Sequence, residues 1–158
     1  MLRRIVSGGQ TGADRGALDA AIELGLEHGG YCPAGRRAED GRIPERYQLD
    51  ETASAGYAER TDRNVLASDA TLLVTRGPAR AGSALTAELA ARHGRPLLHI
   101  DLDATDAARC AKTVREWLIS TAIEVLNVAG PRASDCSGIA QDVRALLQGA
   151  LRGGLHRG

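Results

Sequence analysis

The sequence predicts an α/β fold in which helices cover both faces of a doubly wound, mainly parallel β-sheet. Short apolar runs alternate with segments of helical periodicity along the whole chain, and this alternation is typical of consecutive βαβ units. The 158 residues contain no internal repeat, low-complexity tract or linker. We therefore expect a single domain that spans residues 1–158.

The predicted elements follow one another in regular order. Strands are indicated by apolar runs at residues 4–7, 71–74, 96–100 and 125–128, with a weaker run at 30–32. Helices are indicated by the spacing of Leu18, Ile22 and Leu26 and by the patterns over 57–67, 84–93, 114–119 and 139–151. Residues 33–54 form a long irregular stretch, for which a functional lid and a mobile surface excursion are both open readings.

Composition excludes several classes of protein. Hydrophobic residues make up 43% and charged residues 25%, as in ordinary globular domains. The formal net charge is zero and only 3% of residues are aromatic, so neither a nucleic-acid nor a membrane partner is expected. The three cysteines form no even disulfide set and no zinc-site spacing. With no signal-peptide or membrane-spanning stretch, the sequence predicts a cytoplasmic protein without a bound metal.

The loop after the first predicted strand, residues 7–15, has the composition of an anion-binding turn. Its glycines allow backbone N–H groups to approach a ligand, and the following helix directs its positive dipole end to the same place. The spacing matches neither the dinucleotide fingerprint nor the P-loop, so an ordinary tight turn is the alternative. The candidate binding residues are Gly8, Gly9, Gln10, Thr11, Gly12, Asp14, which can also cap the helix, and Arg15.

Two further loops between a strand and a helix, residues 75–83 and 129–138, combine glycine, hydroxyl groups and arginine in the same way. Ligands of open parallel sheets bind beyond the carboxyl ends of the strands. Three similar loops therefore predict a shared site for a small anionic ligand. The candidates are Arg76, Gly77, Gly82, Ser83 and Thr86 for the second loop and Gly130, Arg132 and Ser134 for the third.

Other polar residues are weaker candidates. Cys136, in the third loop, is either a reactive thiol or soft-metal ligand or an incidental cysteine. Glu39 and Asp40, in the irregular stretch, are either acid/base groups or solvated turn residues. The four histidines are dispersed, and none is placed as an obvious general base.

With these loops identified, the chain resembles the molybdenum cofactor carrier family over nearly its whole length. The resemblance implies a Rossmann-like fold, kinship with the lonely-guy-type phosphoribohydrolases, and a homo-oligomer, either dimer or tetramer. It also implies binding and protection of molybdenum cofactor, with an acceptor molybdoenzyme as partner. The segments that carry it are SGGQTGADRGALDAAIELG, GGYCPAGRRAEDGRIPERYQLDET, YAERTDRNVLASDATLLVTRGP, GSALTAELAARHGRPLLHIDL and LNVAGPRASDCSGI.

The chemistry of that ligand agrees with the loops. Molybdenum cofactor is a pterin with a terminal phosphate and a dithiolene-bound molybdenum oxo group, so it is a readily oxidised polyanion. The chain departs from the family pattern at Ala81, where the first of two glycines is usual, and at Cys136 and Ser137 before Gly138. Ala81 predicts a second loop that is less open to close backbone approach.

An enzymatic alternative comes from the phosphoribohydrolase relatives, whose helix-opening motif carries a catalytic glutamate. Gly82 and Glu88 match that motif, whereas Ala81, Ala84 and Leu85 replace a glycine and a Gly-Thr step. Glu88 is then either the acid that labilises an N-glycosidic bond or a glutamate favoured by the helix dipole. A nucleotide-ligand-sensing module is the third reading.

Overall fold

The computed structural model describes residues 1–155, with side chains up to Arg152; the last three residues of the predicted domain, 156–158, lie outside the described part. The strands are β1 (Arg4–Val6), β2 (Glu27–Gly29), β3 (Tyr31–Cys32), β4 (Arg37–Ala38), β5 (Gly41–Arg42), β6 (Asp50–Glu51), β7 (Ala70–Thr75), β8 (Leu97–Asp101) and β9 (Val125–Ala129). The helices are α1 (Ala13–Leu24), α2 (Tyr57–Leu66), α3 (Ala81–Arg92), α4 (Ala107–Ser120) and α5 (Ile139–Leu155).

The central sheet has five strands in the order β2-β1-β9-β7-β8, and all of its pairs are parallel. This confirms the predicted α/β class. All six residues of β7 are buried, because a strand inside the sheet is covered on both faces. Short β-branched and leucine-rich runs therefore mark the inner strands.

The second strand of this sheet is not where the sequence predicted it. Residues 27–29 pair with β1, whereas Tyr31 and Cys32 pair with β6 in a separate two-stranded sheet. Glu27 and His28 lie on an edge strand that is partly exposed, so no apolar run marks the position. The weak run at 30–32 does contain a strand, β3, but this strand belongs to the small sheet, and the sequence missed β2 for this reason.

Side-chain alternation along the strands assigns the helices to two layers. Leu98 packs in the main core with residues of α1, α4 and α5, whereas the preceding Leu97 packs with Val65 of α2 and Leu89 of α3. Successive strand residues point to opposite faces. Helices α1, α4 and α5 therefore cover one face of the sheet, and α2 and α3 cover the other.

Residues 33–54 fold against α1 as a packed unit. Ile43 and Tyr47 are fully buried with Leu18. The buried Arg36 donates hydrogen bonds to the carbonyls of Ile43, Pro44 and Tyr47 at 2.7–3.2 Å. These contacts contradict the reading of the segment as a mobile surface excursion.

The crossover connections create a crevice at the carboxyl edge of the sheet. The chain leaves β1 for α1 on one face and leaves β7 for α3 on the other, while β9 lies between β1 and β7. A position where neighbouring strands connect to helices on opposite faces is a topological switch point, and the loops that diverge there leave a crevice between them. Within residues 1–155, no helix combines the length and hydrophobicity needed to cross a bilayer.

Candidate functional site

A cleft of about 720 Å³ opens at this switch point. It is lined by all three of the loops that follow β1, β7 and β9, which converge because their strands are neighbours in the sheet. The volume lies in the usual range for small-molecule sites. The predicted residues in its lining are Gly8, Gln10, Asp14, Arg76, Gly77, Gly82, Ser83, Thr86, Gly130 and Arg132.

The other predicted residues lie behind this lining and connect its loops. Arg15 donates from Nε to the Gly9 carbonyl at 3.0 Å and forms a bidentate pair with Asp40 at 2.6 and 2.8 Å. Thr11 and Ser134 donate hydrogen bonds to the Glu39 carboxylate. These residues brace the wall of the cleft rather than face into it.

The glycines of the first loop are required by packing. Gly9 has φ 78°, and an added Cβ would lie 2.6 Å from a methyl of Leu49. Gly12 has φ 84°, and its Cβ would lie 2.5 Å from the Pro131 carbonyl oxygen and 2.7 Å from the Ala133 nitrogen. Positive φ and contact with another backbone both favour glycine. The structure thus gives these two glycines a reason other than approach to an anion.

The second loop, residues 75–83, leaves free space at the start of α3. An added Cβ on Gly82 meets nothing within 4 Å, and the first turn of α3 has no side-chain cap. Ser83, beside it, is 6% exposed and lines the cleft. Ala81 adopts φ 46°, a conformation that costs a residue with a Cβ about 1–2 kcal/mol. Ala81 carries this strain, yet it does not close the loop as the sequence predicted.

Carboxylates already neutralise both of the predicted arginines that line the cleft, as Asp40 neutralises Arg15 behind it. Arg76 pairs with Asp142 at 3.0 Å and with Asp103 at 2.7 Å. Arg132 pairs with Asp135 at 3.0 Å. In the described part of the chain, Arg80 lines the same cleft without a carboxylate partner, so it is the arginine best suited to an added anion.

One wall of the cleft was missed by sequence reasoning. Helix α2 contributes Tyr57, Arg60, Thr61 and Asn64, which are spaced as i, i+3, i+4 and i+7 and so lie on one helix face. That polar stripe was a usable signal, but α2 follows the irregular segment rather than a strand of the main sheet. The polar face of α2 was missed because candidates were sought only in the loops that follow strands.

Arg60 of this wall reaches the first loop. Its Nη1 donates to the Gly8 carbonyl at 3.1 Å and lies 3.4 Å from Oδ2 of Asp14. Burial raises the pKa of the Asp14 carboxyl, and the neighbouring Arg60 guanidinium partly offsets that rise. The cleft therefore contains the buried Asp14 carboxyl beside the partly buried Arg60 guanidinium.

Glu39 latches the first loop to the third. Its carboxylate accepts hydrogen bonds from the Thr11 hydroxyl and from the nitrogen and hydroxyl of Ser134, at 3.2 and 2.5 Å for the latter two, and lies 3.6 Å from Nε of Arg132. Hydrogen bonds from Ser134 and Thr11 hold the pKa of this carboxyl below its ordinary value. Glu39 lies in an exposed turn, as one of the two readings predicted, and its carboxylate links the two loops from there.

We expect this latch to weaken in acid. A carboxyl whose pKa is lowered by folding contributes stability above its ordinary value of 4.5 and loses it as the pH falls through the lowered value. The Ser134 amide resonance should therefore stay constant down to pH 4.5 and shift below it in a two-dimensional NMR titration, and Glu39→Gln should abolish the shift. Glu45→Gln, in the same segment but paired with Arg42, is the control. A midpoint at or above 4.5 would contradict the assignment.

Glu88 lies outside the cleft. Its side chain is 67% exposed, and its nearest charged partner is Arg92, one turn along the same helix at 4.0 Å. Cys136 does line the cleft as a free, half-buried thiol. Among residues 1–155, no group of three or more histidine, cysteine, aspartate or glutamate side chains is placed to hold a metal ion.

Comparison with known proteins agrees with this fold. The sequence profile of the circularly permutated YpsA SLOG family matches residues 5–151. A crystal structure of a protein from Syntrophus aciditrophicus SB, named as a molybdenum carrier protein, is 47% identical and superimposes with a TM-score of 0.93, covering 95% of each chain. None of the curated proteins matches the chain.

Proposed function

The chain belongs to the circularly permuted YpsA SLOG family, and on that premise we propose that it binds, protects and carries molybdenum cofactor. The observation that carries the proposal is the cleft at the switch point, whose second loop combines the open Gly82, the buried Ser83 and the carboxylate-free Arg80. The name of the Syntrophus protein, at 47% identity, supports the same ligand.

The physical argument rests on matching charge and shielding. The terminal phosphate of the cofactor is a dianion, which is favoured by backbone N–H groups at a helix N-terminus and by an arginine. At the start of α3, Gly82 offers a backbone N–H group and Arg80 the arginine, and Ser83, whose backbone nitrogen donates to the Arg80 carbonyl, adds a hydroxyl group. The walls from the first and third loops and from α2 would screen the oxidisable dithiolene from solvent.

The proposal includes a cytoplasmic homo-oligomer, a dimer or tetramer, that passes its cargo to an acceptor molybdoenzyme. The resemblance to the carrier family supports the assembly, and alanine-rich helices such as α3 allow close approach between protomers. No chemical step by the protein is required, because a carrier has only to bind, shield and release.

Two assays run side by side test the function. Molybdenum cofactor is incubated in air with and without the protein, and the surviving fraction is measured by reconstitution of a cofactor-free molybdoenzyme. Nucleoside monophosphates are incubated in parallel and analysed for free base by chromatography. We expect the cofactor to survive severalfold longer with the protein and base release to stay at the level of the blank. If the wild-type protein releases base, the Glu88→Gln variant does not, and the cofactor is not protected, the protein is instead a hydrolase.

A further inference from the structure

The side-chain amide of Gln10 is fixed in one orientation. Its Oε1 accepts hydrogen bonds from the backbone nitrogens of Thr11 at 3.0 Å and Glu39 at 2.9 Å, so oxygen and nitrogen of the amide are distinguished. Gln10 is 7% exposed and lines the cleft. Its Nε2 has no protein acceptor in the part of the chain that the structure describes. The Nε2 donor of this largely buried side chain is therefore accessible from the cleft and free for a ligand.

The Asp14 carboxyl lies against the backbone of Gln10 and offers an acceptor to the cleft. The Gln10 backbone nitrogen donates to Oδ2 of Asp14 at 3.2 Å, and the Arg60 contact at 3.4 Å uses the same oxygen. The Ser7 hydroxyl, which also lies against the carboxyl, donates its proton to the Val128 carbonyl at 2.7 Å. Asp14 is 7% exposed and lines the cleft, so its Oδ1 retains capacity to accept from a ligand.

The Asp14 carboxylate repels phosphate, so the part of an anionic ligand that it can bind must carry hydrogen-bond donors. An acceptor beside a donor is complementary to a ligand edge that carries N–H groups beside a carbonyl. The 2-amino-4-oxopyrimidine ring of pterins and of guanine has that edge, with the amino and ring N–H groups on one side and the oxo group on the other. A buried site built to hydrogen-bond such groups discriminates against ligands that lack them.

We propose that Asp14 and Gln10 form a subsite for the amino-oxo edge of a 2-amino-4-oxopyrimidine ring. Oδ1 of Asp14 accepts from the amino and ring N–H groups, and Nε2 of Gln10 donates to the oxo group. This inference rests on the proposed function, since it names the part of the ligand that the first loop recognises. With the ring bound in this subsite, the phosphate of the same ligand lies towards the second loop.

Guanosine and inosine monophosphate test the subsite because they differ only in the 2-amino group. The Kd of each is measured by calorimetry for the full chain. We expect the wild-type protein to bind guanosine monophosphate roughly tenfold more tightly, as one hydrogen bond to a buried carboxylate implies. Asp14→Asn should bring the two constants within about twofold of each other. Asp50→Asn, the same change at an exposed carboxylate that does not line the cleft, should preserve the ratio.

If the Asp14→Asn protein does not fold, a second variant, Gln10→Glu, still tests the subsite. Gln10→Glu retains the oxygen that accepts from Thr11 and Glu39 but replaces the donor in the cleft by an acceptor, so both nucleotides should bind at least tenfold more weakly. Equal wild-type affinities, or variants that change neither constant, would overturn the subsite. Equal affinities in a protein that still protects molybdenum cofactor would refute the subsite alone, whereas a clear preference without protection would refute the cofactor proposal and leave the subsite standing.

Discussion

Replacing Gly16 by alanine is expected to destabilise the protein by about 3 kcal/mol, near the upper end for overpacking a core, although alanine is the better helix former. Gly16 lies where α1 crosses α5, and an added Cβ would collide with the Ala140 carbonyl oxygen and lie 2.9 Å from its carbonyl carbon. Both are backbone atoms, so no side-chain rotation relieves the contact. The two helices would have to separate, which loosens the core between them.

The measurement is a thermal melt or a urea titration of the variant beside Gly82→Ala. Gly82 is also a helical glycine, but nothing lies within 4 Å of its added Cβ, so that control should change stability by less than about 0.5 kcal/mol. For a domain of this length, a loss of about 3 kcal/mol lowers Tm by roughly 6–12 °C. A Gly16→Ala protein as stable as its control would show that α1 and α5 do not approach so closely.

The elements that the sequence predicted well are those whose pattern is local. The inner strands β7 and β9 carry continuous apolar runs because both their faces are covered, and those runs can be read directly. The edge strand β2 has the polar sequence Glu-His-Gly, and its place beside β1 depends on pairing rather than pattern. Local periodicity could not reveal it.

In the candidate site, too, only the features that have a local sequence pattern could be predicted. Three similar loops after neighbouring strands were predicted to meet, and they line one cleft. The roles of the individual residues depend on partners that are distant in sequence. Arg76 is occupied by Asp142, 66 residues away, and the latch by Glu39 joins loops from both ends of the chain. The pairing of Arg132 with Asp135, three residues apart, is local. No spacing rule within a loop, however, reports that Arg76 is neutralised by Asp142.

Replacing Gly82 by leucine is expected to abolish tight binding of an anionic ligand while leaving the fold intact. The side chain would enter the cleft at the start of α3 and prevent a phosphate from reaching the backbone there and Arg80 beside it. Losing two charge-assisted hydrogen bonds of about 1.5 kcal/mol each weakens binding roughly a hundredfold. Stability should not fall, because Gly82 has open space around it, its φ lies outside the left-handed region, and leucine favours a helix.

Ala91→Leu is the matched control, since Ala91 is exposed on the same helix and is absent from the cleft lining. Calorimetry with guanosine monophosphate gives the affinities, and the survival of molybdenum cofactor in air gives the protection, for both variants and the wild-type protein. The control should match the wild type in each assay, whereas Gly82→Leu should bind roughly a hundredfold more weakly and protect the cofactor correspondingly less. Because the leucine lies at the second loop, wild-type affinity in that variant would mean that the phosphate binds elsewhere in the cleft, and the assignment of the anion to the start of α3 would have to be abandoned.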